Sequence, residues 1–452
     1  MGAYAGAVTP TDPASGSFRT SPDQPLSERL VAVAEALFAT RVSPVAAAAL
    51  VADFARHPGP KHGLLVGAGP ASPVLSAAID ALSPDDSLTV VAGAATEDVR
   101  SRVRLAGSWV EQRVTVVESL ADAPTSVDAV IVAEPLVGSA DETRAQLETL
   151  GKHLGPGAVL SVAAPVAPLG ERAGRAFSLG LAGGAGEELS RQATLFGVGS
   201  DVVLRSHPPL RVHRLRYTPA DAALAERLSP LARTSSVRLT PRMNIDSNGV
   251  AAAAICLGTA AALRRFRRGG KLWWLPALAA APVAAFFRDP QREVPTDPAA
   301  IVAASDGKVL SVETVRDERL GPDEFLRIAV FLSVLDVHIN RAPVAGRVVD
   351  HFVVDGGYAA AMHPEAEHNV SAYTVLETTR GTVAVVQRTG LIARRIVQRA
   401  PVGALLAKGE RFGLIRFGSR TDVYLPVDRV EPLVDVGDRV VGGETVIARW
   451  TA

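Results

Sequence analysis

Short apolar runs alternate with longer helical patterns over residues 25 to about 218. The helical stretch LSERLVAVAEALFA precedes the first apolar run, His62–Val66. Similar runs follow near residues 88–93, 114–119, 128–134 and 158–165. Strands that alternate with helices are typical of a parallel sheet with helices on both faces. We therefore expect an α/β domain over residues 25–218.

The hydrophobic pattern changes at residues 248–287. Two runs without a charged residue, 249–263 and 272–287, flank a basic segment, RRFRRGGK. A helix needs about 20 apolar residues to span a membrane, and neither run is that long. We expect a pair of helices in the membrane interface on the cytoplasmic face, with the basic segment near anionic headgroups and Trp273 and Trp274 at headgroup level. The alternative is two Ala-rich core helices joined by a solvated basic turn.

The rest of the chain divides into three segments. Residues 1–24 are polar and rich in Pro, Ser and Thr, which predicts a disordered tail rather than a secretory signal. Residues 219–247 mix Arg, Pro and Ser and are predicted to be a linker. Residues 288–452 contain short β-rich runs separated by Gly and Pro, which predicts a mainly β domain.

Composition excludes several classes of function. The 452 residues carry 47 basic and 47 acidic side chains, a balance that argues against a nucleic-acid binder. A single cysteine excludes a disulfide framework and Cys-rich zinc or iron–sulfur sites, and we expect no metal. The mean hydropathy of +0.20 allows a large core and contact with a membrane.

Five short motifs follow one another between residue 286 and the C-terminus. They are FFRDPQR, ASDGKV, DVHINRAP, ARRIV and GLIRFGSR. Their order and approximate spacing closely resemble the phosphatidylserine decarboxylase proenzymes, especially the compact form of that family. The resemblance covers about 165 residues and implies a carboxy-lyase that converts phosphatidylserine to phosphatidylethanolamine and carbon dioxide.

The resemblance implies a cofactor made from the chain itself. Decarboxylation of an α-amino acid leaves a carbanion, so the enzyme needs an electron sink, which pyridoxal phosphate commonly supplies. The family instead cleaves its own chain before a serine, here between Gly418 and Ser419, and converts Ser419 into a pyruvoyl group. A serine hydroxyl needs a base to become a good nucleophile, and His338, oriented by Asp306, is the candidate. Gly418 admits close approach and unusual backbone angles.

One departure from the family pattern concerns histidine. Some members carry a second histidine three residues after the first and divide processing and decarboxylation between the two. This chain has Arg341 there. Either His338 serves both steps, or His351, His363 or His368 assists.

The implied substrate carries a phosphodiester, an anion that arginine binds well. Arg341, Arg394, Arg395 and Arg420 are the candidates, and a structural ion pair is the alternative for each. We expect phosphatidylserine and anionic membrane lipid as partners, and the two processed chains should stay associated. A homo-oligomer is left open.

The C-terminal turns suggest how the β domain is built. Residues 434–445 resemble the turn pattern of biotinyl and lipoyl domains, and with residues 305–309 they suggest two related halves, a barrel-sandwich hybrid. No lysine lies in 434–445, so a swinging-arm carrier is not expected. This analogy of fold does not establish function.

The N-terminal domain resembles Rossmann-like class I S-adenosylmethionine-dependent methyltransferases. The resemblance rests on the glycine turn after the first strand, residues 67–72, and on residues 104–118. Ser72 occupies the third glycine position, and no acidic residue ends the second strand to hold a ribose. A degenerate scaffold is favoured over an active methyltransferase, and S-adenosylmethionine over NAD if a cofactor binds. The alternatives to the decarboxylase are a bifunctional protein with an active methyltransferase and an uncleaved lipid-binding relative.

Overall fold

The computed structural model describes residues 42–166, 184–206, 208–231, 236–266, 271–391, 395–416 and 419–451. The predicted tail and the helical stretch LSERLVAVAEALFA lie outside these residues, as do Arg394 and Gly418.

The N-terminal domain is built on a seven-stranded sheet of order β3-β2-β1-β4-β5-β7-β6. Its strands are β1 (His62–Val66), β2 (Ser87–Val91), β3 (Val114–Val117), β4 (Val127–Val132), β5 (Leu154–Pro165), β6 (Gly197–Val203) and β7 (Leu210–Leu215). Strands β1 to β5 are parallel, which confirms the sequence prediction. Strand β7 runs antiparallel to both neighbours, which the sequence analysis did not anticipate.

Helices accompany this sheet and supply its two hydrophobic cores. They are α1 (Pro44–Arg56), α2 (Pro73–Asp80), α3 (Thr96–Leu105), α4 (Ser108–Glu111), α5 (Ala140–Gly151) and α6 (Gly184–Phe196). Leu64 and Leu65 of β1 are both buried but belong to different cores, because successive side chains point to opposite faces of a sheet. The run HGLLV is therefore apolar without alternation, as expected for a central parallel strand.

The segment predicted to be a linker is structured. It contains α7 (Ala222–Arg227), β8 (Val237–Thr240) and β9 (Met243–Ile245), and β9 lies between β8 and β10 (Arg288–Pro290) in a three-stranded sheet. Helix α7 buries Ala225 against Leu405 of the C-terminal domain. The linker prediction is thus corrected, because this tertiary contact orders a segment with little pattern of its own.

The two uncharged runs form a helical hairpin. Helix α8 (Ser247–Phe266) packs against α9 (Trp274–Phe286), which a short 3-10 turn, Lys271–Trp273, precedes. The hairpin exposes several large apolar side chains, including Ile255 at 70% and Leu278 at 64%. Among the described residues, no helix has the length and apolar content needed to span a membrane.

The C-terminal domain is antiparallel β structure, as predicted. An eight-stranded sheet has the order β19-β15-β16-β17-β21-β13-β12-β23, and two three-stranded sheets have the orders β11-β24-β22 and β14-β20-β18. The strands are β11 (Ala300–Val302), β12 (Gly307–Arg316), β13 (Glu324–Leu332), β14 (Ile339–Arg341), β15 (Gly346–Val354), β16 (Ser371–Thr378), β17 (Gly381–Arg388), β18 (Arg395–Gln398), β19 (Leu405–Leu406), β20 (Arg411–Arg416), β21 (Ser419–Pro426), β22 (Val430–Pro432), β23 (Arg439–Val440) and β24 (Val446–Trp450). The division into two related halves stays a prediction.

Strand β21 has two different faces. Val423 and Leu425 point into the main C-terminal core, whereas Arg420, Asp422 and Tyr424 lie on the opposite face. All five side chains are buried, so β21 is covered on both sides.

Candidate active site

Ser419 is the first residue of β21 and is completely buried. Its register is fixed by β13, where Leu332 is its partner. Within the described part of the chain, Ser419 Oγ has no hydrogen-bond partner. A buried hydroxyl left without a partner costs about 1–3 kcal/mol, so such groups in a native fold call for an explanation. One such explanation is that the hydroxyl is a nucleophile that is held ready for reaction.

His338 lies beside the strand that leads to Ser419. It immediately precedes β14, which pairs with β20, and its main-chain carbonyl accepts a hydrogen bond from Ile415 N at 3.2 Å. Strand β20 ends at Arg416, three residues before Ser419 in the chain. The fold therefore brings the main chain of His338 to the strand that ends three residues before Ser419.

The imidazole of His338 is held in one orientation. Its Nδ1 lies 2.9 Å from the main-chain oxygen of Asp336. Because a carbonyl can only accept, we assign the proton to Nδ1, which leaves Nε2 with the lone pair in the neutral ring. The ring of Phe286 lies 4.3 Å away between centroids. Burial lowers the pKa of His338 to about 4, so the ring is neutral at neutral pH and can accept a proton.

Asp306 has other partners than the ring of His338. Its carboxylate accepts hydrogen bonds from Arg292 Nη2, at 2.9 and 2.7 Å, and from Gly442 N at 2.8 Å. Charge-assisted bonds to a guanidinium are strong, which explains this choice. In the structure, Nδ1 of His338 instead contacts the main-chain carbonyl of Asp336, which was not among the predicted site residues. A catalytic role for Asp306 stays a prediction.

Two of the candidate phosphate-binding arginines are committed to internal partners. Arg341 is buried, and its Nη2 lies 3.1 Å from Asp289 Oδ1. Burial lowers the pKa of Arg341 to about 9. Arg420 Nε lies 2.6 Å from Asp422 Oδ1. These geometries fit the structural ion pairs that we considered as the alternative, because phosphate binding needs an accessible guanidinium.

Arg395 is placed differently. It is exposed at the start of β18, opposite Arg416 of β20 in the register. Two cations on paired strands next to the cleavage segment form a local positive surface. Arg394 lies outside the described residues.

A buried charge cluster behind Ser419 was not anticipated. Asp422 lies between Arg388 Nε at 2.9 Å and Arg420 Nε at 2.6 Å. Burial alone would raise the pKa of Asp422, but the two guanidiniums outweigh it and hold this pKa below its usual range. Since Arg388 belongs to β17, the cluster fixes β21 against its neighbour. The alternation of Arg420, Asp422 and Tyr424 along one strand face was the available sequence signal.

A second polar chain lies on the Ser419 face of β21. Gln387 Nε2 donates to Asn340 Oδ1 at 2.7 Å, and Asn340 Nδ2 donates to Thr421 Oγ1 at 3.3 Å. All three side chains are buried. Because Thr421 is two residues from Ser419, it lies on the same side of the strand. The chain therefore couples β14, β17 and β21 directly below the site.

The alternative histidines lie in other surroundings. His351 lines a cavity of about 980 Å³ between the N-terminal domain, helix α8 and β18. Its Nδ1 lies 2.8 Å from the main-chain oxygen of Tyr373. His363 and His368 are exposed beside and within a 3-10 helix, Pro364–His368. Neither His338 nor Ser419 lines the large cavity, so we do not assign it to the substrate.

The N-terminal glycine turn was tested as a site for S-adenosylmethionine. A Cβ placed on Gly67 or Gly69 would meet nothing within 4 Å, so this edge of the sheet is open. Strand β2, however, is followed by Ala92 and Gly93 rather than by a carboxylate. The first acidic residue after it, Glu97, pairs with Arg100 on α3. The residues present do not fit the ribose of this cofactor, and no methyl-transfer step is derived.

Comparison with solved structures finds distant similarities to methyltransferases. An O-methyltransferase from Bacillus cereus is 16% identical, with a TM-score of 0.30, over 42% of this chain and 89% of that chain. A methyltransferase from Geobacter sulfurreducens is 16% identical, with a TM-score of 0.27, over 43% of this chain and 91% of that chain.

Comparison with protein families places the C-terminal domain. The family model for phosphatidylserine decarboxylase matches residues 280–448. The phosphatidylserine decarboxylase proenzyme of Geotalea uraniireducens is 48% identical over 164 residues, which are 36% of this chain and 76% of the relative. That of Mycobacterium bovis is 44% identical over 188 residues, which are 40% of this chain and 81% of the relative. The chain belongs to the phosphatidylserine decarboxylase proenzyme family.

Proposed function

We propose that the chain is a self-processing, pyruvoyl-dependent phosphatidylserine decarboxylase that releases carbon dioxide and phosphatidylethanolamine. The observation that carries the proposal is the buried hydroxyl of Ser419, which has no hydrogen-bond partner among the described residues, together with the main-chain contact of His338 with the preceding strand β20. Family membership supplies the reaction, and the site supplies the groups that it needs.

Processing begins with proton transfer from the Ser419 hydroxyl to Nε2 of His338. The hydroxyl oxygen then attacks the carbonyl carbon of Gly418, the amide C–N bond breaks, and an ester and a free amine form. Removal of the Ser419 α-proton expels the Gly418 carboxylate and leaves dehydroalanine, which water hydrolyses to the keto acyl group and ammonia. The low pKa of His338 keeps its ring in the proton-accepting form at neutral pH.

The same residues serve decarboxylation. The pyruvoyl group at position 419, once formed, supplies a carbonyl that accepts the electrons left by carbon dioxide. His338 is proposed to deliver the proton that replaces the carboxylate, a proton that its neutral ring takes up from solvent in each turnover.

The two products of cleavage should remain together. Residues 419–451 form β21, β22, β23 and β24, and β21 lies between β17 and β13 in the eight-stranded sheet. Backbone ladders on both sides of β21 hold the smaller fragment without a covalent link. The buried pair of Asp422 with Arg388 adds to this attachment, because Arg388 lies in the larger fragment.

The hairpin is proposed to bring the site to its lipid substrate at the membrane surface. Its distal end exposes Trp273 and Trp274, and Arg264 lies over the ring of Trp273 at 5.4 Å. At its other end, Phe286 and Phe287 pack with Ile339 and Leu414 of the strands around His338. Helix α9 thus connects the exposed tryptophans to the strands beside His338, which favours attachment at the membrane interface.

Intact-mass analysis of the purified protein under denaturing conditions tests the proposal. Cleavage gives fragments 1–418 and 419–452, with the smaller one beginning in a pyruvoyl group. The Ser419→Ala variant is the control and should remain one chain. Release of carbon dioxide from phosphatidylserine vesicles should follow cleavage. A wild-type protein that stays a single unmodified chain would refute the enzyme and leave a lipid-binding relative.

A further inference from the structure

A buried ion pair joins the N-terminal domain to the decarboxylase domain. Arg56, the last residue of α1, places Nη2 at 2.7 Å and Nη1 at 3.3 Å from the two carboxylate oxygens of Glu410. Nη2 also lies 3.3 Å from the main-chain oxygen of Leu405. Arg56 is 8% exposed and Glu410 5%. A buried pair with two parallel hydrogen bonds fixes both the position and the orientation of the two side chains.

The pair is anchored on the N-terminal side by further charges. Asp53, one turn earlier on α1, lies 3.9 Å from Arg56 Nη1 and 2.9 Å from Arg214 Nε of β7. Arg214 also pairs with Asp201 of β6. The guanidinium of Arg56 is therefore held by the edge of the N-terminal sheet and not only by its own helix.

In the decarboxylase domain, Glu410 lies directly before β20 and makes two further hydrogen bonds. Its carboxylate accepts a hydrogen bond from Ala407 N at 2.9 Å, and its main-chain carbonyl accepts one from Ala342 N at 2.8 Å. Strand β20 starts at the next residue and runs along β14 past His338. The far end of β20 leads to the bond that we propose is cleaved.

Other contacts show that the two domains are packed together at this place. Arg216 Nη1 donates to Gly403 O at 2.6 Å, and Nε of the same side chain donates to Gly157 O at 2.9 Å. Val198 of β6 packs against the main core of the decarboxylase domain. The contact is thus continuous, and Glu410, the partner of Arg56, is the contact residue that directly precedes β20.

We propose that the N-terminal domain acts as a positioning domain for self-cleavage, with Arg56 as the positioning residue that sets β20 through Glu410. This inference rests on the proposed function. It gives the domain a task that requires no cofactor and agrees with the missing ribose ligand after β2. An error of about 1 Å in the position of reacting groups can cost about 100-fold in rate, so a modest shift of β20 should be visible in the cleavage rate.

The test follows the first-order rate of cleavage in the full-length chain made by cell-free synthesis. Arg56→Met removes the charge and keeps the length of the side chain. Glu410→Gln, alone and together with Arg56→Met, completes a double-mutant cycle for the pair. Lys61→Met is the matched control, because Lys61 forms a buried pair with Asp86 at 3.3 Å within the N-terminal domain alone. Urea unfolding of each variant measures the general loss of stability.

We expect Arg56→Met and Glu410→Gln each to slow cleavage at least about tenfold, and the double variant to be no slower than the slower single variant, because the two residues act as one coupled pair. Lys61→Met should unfold at lower urea but cleave at the wild-type rate. Equal slowing by Arg56→Met and Lys61→Met would assign the effect to stability and overturn the inference. Unchanged cleavage in Arg56→Met, or slowing in the double variant that equals the product of the two single effects, would overturn it too. Absence of cleavage in wild type would instead refute the proposed function.

Discussion

The pH dependence of self-cleavage distinguishes a buried, neutral His338 from an ordinary histidine. The perturbation is a shift from about pH 7 to about pH 5, within which an unperturbed imidazole titrates. With a pKa of about 4, roughly nine-tenths of the His338 rings stay neutral at the lower pH. With the ordinary value of about 6.5, the neutral fraction would fall about 25-fold over the same interval. The structure therefore predicts a nearly flat rate down to about pH 5 and a decline only below it.

The assay uses newly synthesised chain, transferred rapidly to each pH and sampled on denaturing gels. Circular dichroism at each pH confirms that the chain stays folded. His351→Gln is the matched control, because the Nδ1 of His351 also bonds a main-chain carbonyl, but its ring lines the interdomain cavity. This variant should keep the wild-type profile, whereas His338→Gln should not cleave at any pH. A wild-type rate that falls about 20-fold by about pH 5 would refute the reasoning from burial.

Three further predictions concern stability, membrane binding and cofactors. Asp422→Asn leaves Arg388 and Arg420 buried without their carboxylate, and in an uncleavable chain it should lower the free energy of unfolding by about 3–5 kcal/mol in urea titrations. Changing Trp273 and Trp274 to Ser should weaken binding to phosphatidylserine vesicles at least about tenfold in sedimentation assays, because each buried aromatic contributes about 1.5–3 kcal/mol. Calorimetric titration with S-adenosylmethionine at millimolar concentration should show no saturable binding, because no carboxylate follows β2.

Each of these predictions has a control and a contrary outcome. Asp428→Asn removes an exposed carboxylate and should leave the urea midpoint unchanged. A midpoint that is also unchanged in Asp422→Asn would contradict the stabilising role of the buried cluster. Trp109→Ser changes an exposed tryptophan of the N-terminal domain and should not affect vesicle binding. Equal losses in both tryptophan variants would argue against the hairpin as the membrane contact. Saturable binding of S-adenosylmethionine would revive the bifunctional alternative.

Periodicity predicted the α/β domain because its signal is local. The run HGLLV reads as a strand whose two leucines serve two cores, and the structure places β1 at His62–Val66. The segment 219–247 was misread because the residue that orders α7, Leu405, lies far away in the sequence. Propensity and pattern describe what a segment can do alone, whereas a tertiary contact decides what a weakly patterned segment does.

The chemistry of the site was only partly visible in the sequence. Ser419 and His338 are proposed from the motifs that contain them, and their catalytic roles stay predictions. The hydrogen-bond partner of the His338 imidazole could not be predicted from the sequence, because a main-chain carbonyl such as that of Asp336 leaves no residue-type signature. The sequence could not show whether Arg341 binds substrate or pairs with Asp289, because an arginine suits both roles. Only burial separates the two interpretations.

The topology around Ser419 explains how a chain can be cut there without losing its fold. The strands that flank the proposed bond belong to different sheets: β20 pairs with β14 and β18, and β21 pairs with β13 and β17. Opening the connection between them breaks neither ladder, so both new ends stay where folding placed them. Ser419, the proposed precursor of the cofactor, keeps its register with Leu332, while the main chain of Glu410 holds the other end of β20 against Ala342. Positioning before cleavage and positioning during decarboxylation therefore depend on the same two strands, which is why an ion pair at the start of β20 can control the chemistry at its end.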